Sequence, residues 1–290
     1  MKKIFLIAFV VLSANGFAQK INGRLSFQKG QKLEMVTETK KTSAMELMGQ
    51  AMESTVSSTM TQVFEVEDVS ADSTTIGHKV KRLVFTAEGM GNAQSFDSEK
   101  EEDRKSEMGK IMEKSLKNNY KMTVDPYGKI ISIKVSEGNS GGAKKSDTDA
   151  VAELASAQLG FSLGLPKSGD ASIFKILPGK EIAPGDTWTD SSSANDQKVT
   201  TVYKVNSITA TDIILDYTSD ISVNTTQQIM GTEASIKSTD KVTGQIILDK
   251  ATGLLKQKTA TIDSKATMEA QGMSLPSTGK TSITVTLRGV

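Results

Sequence analysis

His78 is the only histidine among the 290 residues, and there is no cysteine. A nucleophilic triad needs a base beside its nucleophile and a third group to orient that base. His78 begins a strand-like segment running to Thr86, and no spacing marks a partner for it, so it reads as a strand-edge polar residue. One imidazole and no thiolate also leave only carboxylates for zinc. For calcium, Asp147-Thr148-Asp149 lacks the further Asp or Asn, the Gly and the closing Glu of an oxygen-ligand loop, and it suits a helix N-terminus better. No metal or cofactor is expected.

Other fragments fail on context. Gly279-Lys280-Thr281 resembles the end of a phosphate loop, but Ser274 stands where the first Gly is required, and no room follows for the helix and sheet. Ser-x-x-Lys occurs at Ser26–Lys29, Ser238–Lys241 and Ser277–Lys280 without the companion motifs of acylating enzymes. Paired carboxylates could hydrolyse glycosides, because Asp and Glu are plentiful. A sugar cleft also needs aromatic platforms, and one Trp, four Tyr and nine Phe leave few beyond the core. Trp188 is assigned to that core.

Methionine is less ordinary. Gly adjoins Met at Met48-Gly49, Gly89-Met90-Gly91, Met230-Gly231 and Gly272-Met273, each where a hairpin is expected to turn. Glycine supplies the turn, while methionine is a flexible, polarizable contact used on promiscuous apolar surfaces. Met48, Met90, Met230 and Met273 are therefore candidate contacts for a lipid or protein partner. Two other readings stand beside this one. The side chains could fold back onto the sheet, or Met45, Met48 and Met52 could mark a helix starting at Ser43. Scattered methionines do not make a copper(I) site.

The elements that would carry these residues are mostly strands. Val56, Met60, Phe64 and Val66 share one parity, as do Ile213, Leu215, Tyr217, Ile221 and Val223, with polar residues largely between them. This two-residue period is that of antiparallel strands with one wet face. Asp125-Pro126-Tyr127-Gly128 predicts a hairpin between Tyr120–Val124 and Lys129–Val135. Asp249 to Gly253 predicts another between Gln245–Leu248 and Leu254–Ile262. Ser98-Glu99-Lys100-Glu101 reads as a capping box opening a helix near 99–117, and a second helix is expected near 149–163.

Three landmarks recur in order. Gly30-Gln31-Lys32-Leu33, Thr61 to Val66 and Val124 to Gly128 match Gly185-Asp186-Thr187-Trp188, Thr200 to Val205 and Leu248 to Gly253. The reading is a mainly β protein, with antiparallel strands in two related lobes or one long curved sheet and two short helices. The N-terminal lobe would cover 19–136, a connector 137–178 and the C-terminal lobe 179–290.

Lys2, Lys3, the apolar run Ile4 to Leu12 and Gly16-Phe17-Ala18 form a secretory signal with cleavage before Gln19. Its removal leaves 272 residues (290 less 18) and a charge of −1 (+1 less two lysines), too neutral for nucleic acid. No later segment approaches the ~20 apolar residues of a membrane helix, and Thr281 to Val290 reads as a plain closing strand, so no transmembrane anchor is expected. A periplasmic or secreted protein follows.

Leu177-Pro178-Gly179-Lys180-Glu181-Ile182-Ala183-Pro184-Gly185-Asp186-Thr187-Trp188 and the hairpin Tyr120 to Ile130 resemble uncharacterised secreted β-rich proteins of Bacteroidota that carry a domain of unknown function. The resemblance implies a Gram-negative envelope setting and carries no reaction or catalytic residue. Three functions fit: a non-catalytic envelope protein binding an apolar ligand or protein partner, a structural or assembly component of the cell surface, and a carboxylate-dependent hydrolase. An apolar cavity would favour the first, a filled core the second, and two close carboxylates with one raised pKa the third.

Overall fold

The computed structural model describes residues 20–47, 50–89, 91–117, 119–135, 165–194, 196–229, 232–270 and 273–290. The expected signal segment 1–18, the Gln19 start, the Asp147–Asp149 segment and the helix near 149–163 lie outside them.

Alternating Thr, Val and Ile produce long strands. The short β1 (Ile21–Asn22) precedes β2 (Lys32–Leu47), β3 (Gln50–Val69), β4 (Thr74–Gly89) and β5 (Asn92–Asp97). Helices α1 (Glu101–Lys105) and α2 (Glu107–Leu116) follow, then the hairpin β6 (Tyr120–Val124) and β7 (Ile130–Val135). After β8 (Glu181–Ile182), which pairs with β1, come β9 (Thr187–Ala194), β10 (Gln197–Ile208) and β11 (Asp212–Ile229). The order closes with β12 (Thr232–Asp249), β13 (Leu255–Ala270) and β14 (Met273–Gly289).

Among the described residues twelve strands make one antiparallel sheet in the order β7-β6-β4-β3-β2-β14-β13-β12-β11-β10-β9, with β5 beside β4. The chain enters the sheet at its middle with β2 and walks outward to β7. It then crosses to the opposite edge at β9 and walks back until β14 pairs with β2. The sequence alternatives of two lobes or one sheet thus resolve into a single mainly β sheet. Side chains of β6 and β10, close to opposite edges, line the same cavity, so the sheet curls around its inner face.

That face carries the core. Leu33 opposes Phe64 and Phe64 opposes His78, while Leu215 opposes Ile246 across the other half. All but His78 belong to one apolar cluster, completed from the connecting segments by Phe27, Phe174 and Leu177. A smaller cluster, Met60, Leu83, Phe85, Phe96 and Met112, lies under α2. The segment before β2 laces the sheet from below. Leu25 N–H donates to Pro126 O at 2.7 Å and Ser26 N–H to Thr252 O at 2.8 Å, so adjacent residues hold the two Asp-headed turns. In those turns Asp125 Oδ1 accepts from Tyr127 N–H and Lys129 N–H, and Asp249 Oδ1 accepts from Thr252 N–H.

Two local expectations change. The segment near 99–117 is helical, but the capping box does not form. The Ser98 hydroxyl accepts from Leu83 N–H at 2.9 Å, tying it to β4, and Lys100, the N-cap of α1, makes no side-chain cap. Ser106 is extended and splits the helix, and its hydroxyl caps the second piece by accepting from Gly109 N–H. The helix alternative from Ser43 is also overturned. Met45 pairs with Met52 across β2 and β3, because the alternation continues into both strands.

Candidate functional site

A cavity of about 590 Å³ lies between the inner face of the sheet and the segment 165–176. Its walls are mostly apolar: Met35, Met60, Met122 and Ile130 come from the first half, Ile246 and Val285 from the second. The covering segment is strapped to the β7 edge. Ile130 N–H donates to Asp170 O at 2.9 Å, Gly169 N–H to Ile130 O at 2.8 Å and Ser172 N–H to Gly128 O at 2.9 Å. Phe174 anchors it from below, edge-on to both Phe27 and Phe64 at 5.3 Å. Next to that anchor Ile173 remains 46% exposed at the cavity rim, which leaves an apolar entrance.

The polar lining is sparse. Gln62 and His78 are joined by a 2.9 Å hydrogen bond through His78 Nε2, and the imidazole stacks on Tyr120 at 4.3 Å. Burial pushes the Tyr120 phenol up to about 12. His78 is therefore a buried residue packed between the Phe64 and Tyr120 rings and bonded to Gln62. Two ammonium groups face the cavity, Lys258 from β13 and Lys175 from the covering segment, and no Asp or Glu lines it among the described residues.

Lys258 owes its position to a bulge. Pairing of β12 with β13 slips between Ile247 and Leu248. Lys256 therefore turns outward to Asp212 at 2.7 Å and Asp249 at 3.2 Å. Two residues later Lys258 lies opposite Ile246 and points inward, in phase with Ala260 and Ile262. Burial alone pushes its pKa down. Its Nζ sits 5.0 Å from the Tyr217 ring centre, a cation–π contact that offsets part of that cost.

Tyr217 can lie there because β12 has no side chain at Gly244. A Cβ on Gly244 would fall 2.1 Å from Thr259 O and 2.6 Å from Tyr217 Cε1. The ring crosses the glycine, and its hydroxyl donates to Thr259 O at 3.3 Å. Tyr203 stacks behind it at 6.1 Å and Trp188 behind Tyr203 at 5.0 Å. Trp188 thus packs against the core as its sequence position suggested, at the outer end of an aromatic row leading to Lys258.

The methionine tips lie elsewhere. Leu47–Gln50, Gly89–Asn92, Ile229–Thr232 and Ala270–Met273 are the closing pairs of four hairpins, and the register puts all four at one end of the sheet. Met273 is 51% exposed there. Met48, Met90 and Met230 lie outside the described residues. The cavity occupies the opposite half of the strands, so the sequence candidates and the cavity are separate features. Among the described residues there is no group of three His, Asp or Glu suited to a metal, and no helix long and apolar enough to cross a membrane.

No curated protein matches the chain. Among solved structures it is similar to lipovitellin, in a structure described by its lipid–protein interactions. That likeness has 12% identity and a TM-score of 0.47, and covers 91% of this chain and 26% of that one. The chain thus spans about a quarter of the lipovitellin chain. An outer membrane channel from Pseudomonas putida F1 matches at 8% identity over 91% of this chain and 98% of its own, with a TM-score of 0.26. The beta domain of the Bordetella autotransporter BrkA matches at 7% identity over 88% of this chain and 98% of its own, with a TM-score of 0.24. A family match covers residues 71–255, from just before β4 to the first residue of β13. On that coverage the chain belongs to the family of unknown function DUF6263.

Proposed function

We propose that the protein is a non-catalytic, exported envelope protein that binds an apolar ligand in the cavity between its sheet and the 165–176 segment. One observation carries this reading: a space of about 590 Å³, within the usual size of small-molecule sites, is walled mainly by Met, Ile, Leu and Val. The carboxylates supply further support. Glu34, Asp97, Glu113, Asp212 and Asp249, the described acids with displaced pKa values, are all displaced downward. A general acid working near neutral pH needs the opposite displacement. Export rests on the leader-like 1–18 segment, and the exposed Met273 supports a second, outer contact at the hairpin tips.

The test is titration of the chain from Gln19 onward with N-phenylnaphthylamine, an uncharged apolar fluorophore. Saturable one-to-one fluorescence enhancement is expected, together with loss of the signal in Ile176→Trp, which fills the cavity. Absence of enhancement in the native chain, or full retention in the filled variant with its fold intact by circular dichroism, would overturn the reading.

A further inference from the structure

We infer that the cavity takes a single-chain amphiphile with an anionic head, the head pairing with the Lys258 ammonium and the alkyl chain lying along the methionine- and isoleucine-lined wall. The inference rests on the cavity-binding reading above and names its ligand class.

Three features converge on it. Space comes first: about 590 Å³ corresponds to roughly 20 water-sized units at ~30 Å³ each. That is one long alkyl chain with its head group, and well short of two chains. Charge is second. Both charged side chains on the lining are lysines, and no acid neutralises them there among the described residues. An ammonium in such a place is partly desolvated without a counter-ion, a cost that an anionic partner would relieve. The contrast with Lys256 is direct, since that neighbour has two carboxylates within 3.2 Å.

Third is the local construction. The bulge turns Lys258 inward, Gly244 makes room for Tyr217, and the Tyr217 ring holds the ammonium from one side while leaving its other donors to the cavity. A lysine needed only for the fold would gain from the outward, paired position that Lys256 occupies. An incoming carboxylate would meet one desolvated cation with the aromatic row behind it, and Lys175 at the rim adds a second positive charge on the approach.

Calorimetric titration with hexadecanoate, hexadecyl phosphate and hexadecanol tests this in the native chain, Lys258→Met and Lys256→Met. The native chain should prefer the anions over the alcohol by about ten- to a hundredfold, the worth of one charge-assisted hydrogen bond. Comparison of the two anions tells a carboxylate head from a phosphate head. Lys258→Met should lose most of the anion preference, keeping at most the weak contribution of rim Lys175, and melt at or above the native temperature, because a desolvated charge has been replaced by an apolar chain of similar length. Lys256→Met should keep the anion preference. Equal binding of anion and alcohol by the native chain would overturn the anionic assignment and leave the cavity reading standing. Failure of all three, with N-phenylnaphthylamine also unbound, would overturn both. A clear fall in melting temperature for Lys258→Met, with anion preference retained, would make Lys258 a structural residue and overturn the inference.

Discussion

Gly30 and Gly185 make the same turn in the two halves of the chain. Each has positive φ, +80° and +91°, and each donates its N–H at 2.8 Å to a valine carbonyl three residues before the end of the next strand in the sheet, Val66 of β3 for one and Val205 of β10 for the other. Each valine N–H returns to the next residue, Gln31 O or Asp186 O, at 2.9 Å. The landmarks that match in sequence thus carry matching hydrogen bonds, and both turns start a meander.

The equivalence has a measurable form. A Cβ on Gly30 or Gly185 would meet nothing within 4 Å, so alanine costs only the left-handed backbone. Gly30→Ala and Gly185→Ala should each lose about 1–2 kcal/mol, and by similar amounts, in urea denaturation. A marked inequality would show that the turns do different jobs.

Gly244→Ala should be costlier, about 3 kcal/mol, as expected for overpacking against backbone and a ring together. It should also displace Tyr217 from Lys258. Near-ultraviolet circular dichroism would register the disturbed tyrosine–tryptophan row. An unchanged spectrum and stability would contradict the crossing geometry described above.

Glu34, 4% exposed on the outer face of β2, ties together β14 beside it and β4 on the far side of β3. Lys81 Nζ reaches its carboxylate at 2.7 Å and Arg288 Nε at 3.2 Å, and hydrogen bonds from Lys81 and then Arg288 pull its pKa below the usual carboxylate value. The folded value is the lower one. The contribution is therefore complete above the unfolded pKa and disappears as pH falls through the folded value. Glu34→Gln should lower the melting temperature at pH 7, with the difference from the native chain closing as pH drops below about 4. A gap that does not narrow at all as pH falls would mean that the carboxylate charge is not responsible.

Phe174→Ala removes a ring that is 1% exposed and touches Phe27 and Phe64. A loss of about 3–5 kcal/mol is expected, with faster proteolysis of the 165–176 segment before the sheet unfolds. Global unfolding without early cleavage would show that the segment and sheet behave as one unit.

Much of the sheet was legible because strand parity is local. Leu215, Tyr217 and Ile213 face one way in sequence and in structure, and the Asp125 and Asp249 turns stand where their residues placed them. The cavity was not. Its Lys258 lies two residues after Lys256, and strict alternation puts both on one face; only the bulge, formed by pairing with a distant strand, separates them. Ser98 failed differently. Its capping-box pattern was present, but Leu83 N–H, brought beside it by the β4–β5 hairpin, competes for the same hydroxyl. The Gly272-Met273 pair marked a hairpin tip in sequence, while the choice between a folded-back and an exposed Met273 was open until the structure placed it.

The β2–β14 seam governs the order of assembly. β2 finds its second neighbour only after every other long strand has been made, so the central ladder closes over a sequence separation of more than 200 residues, as the hydrogen bond from Thr42 to Lys280 spans 238. Such distant closure is slow, because the entropy of a very long loop must be lost before the ladder forms. Until then β2 and β13 each present a long unpaired edge, the feature that recruits other chains into aggregates.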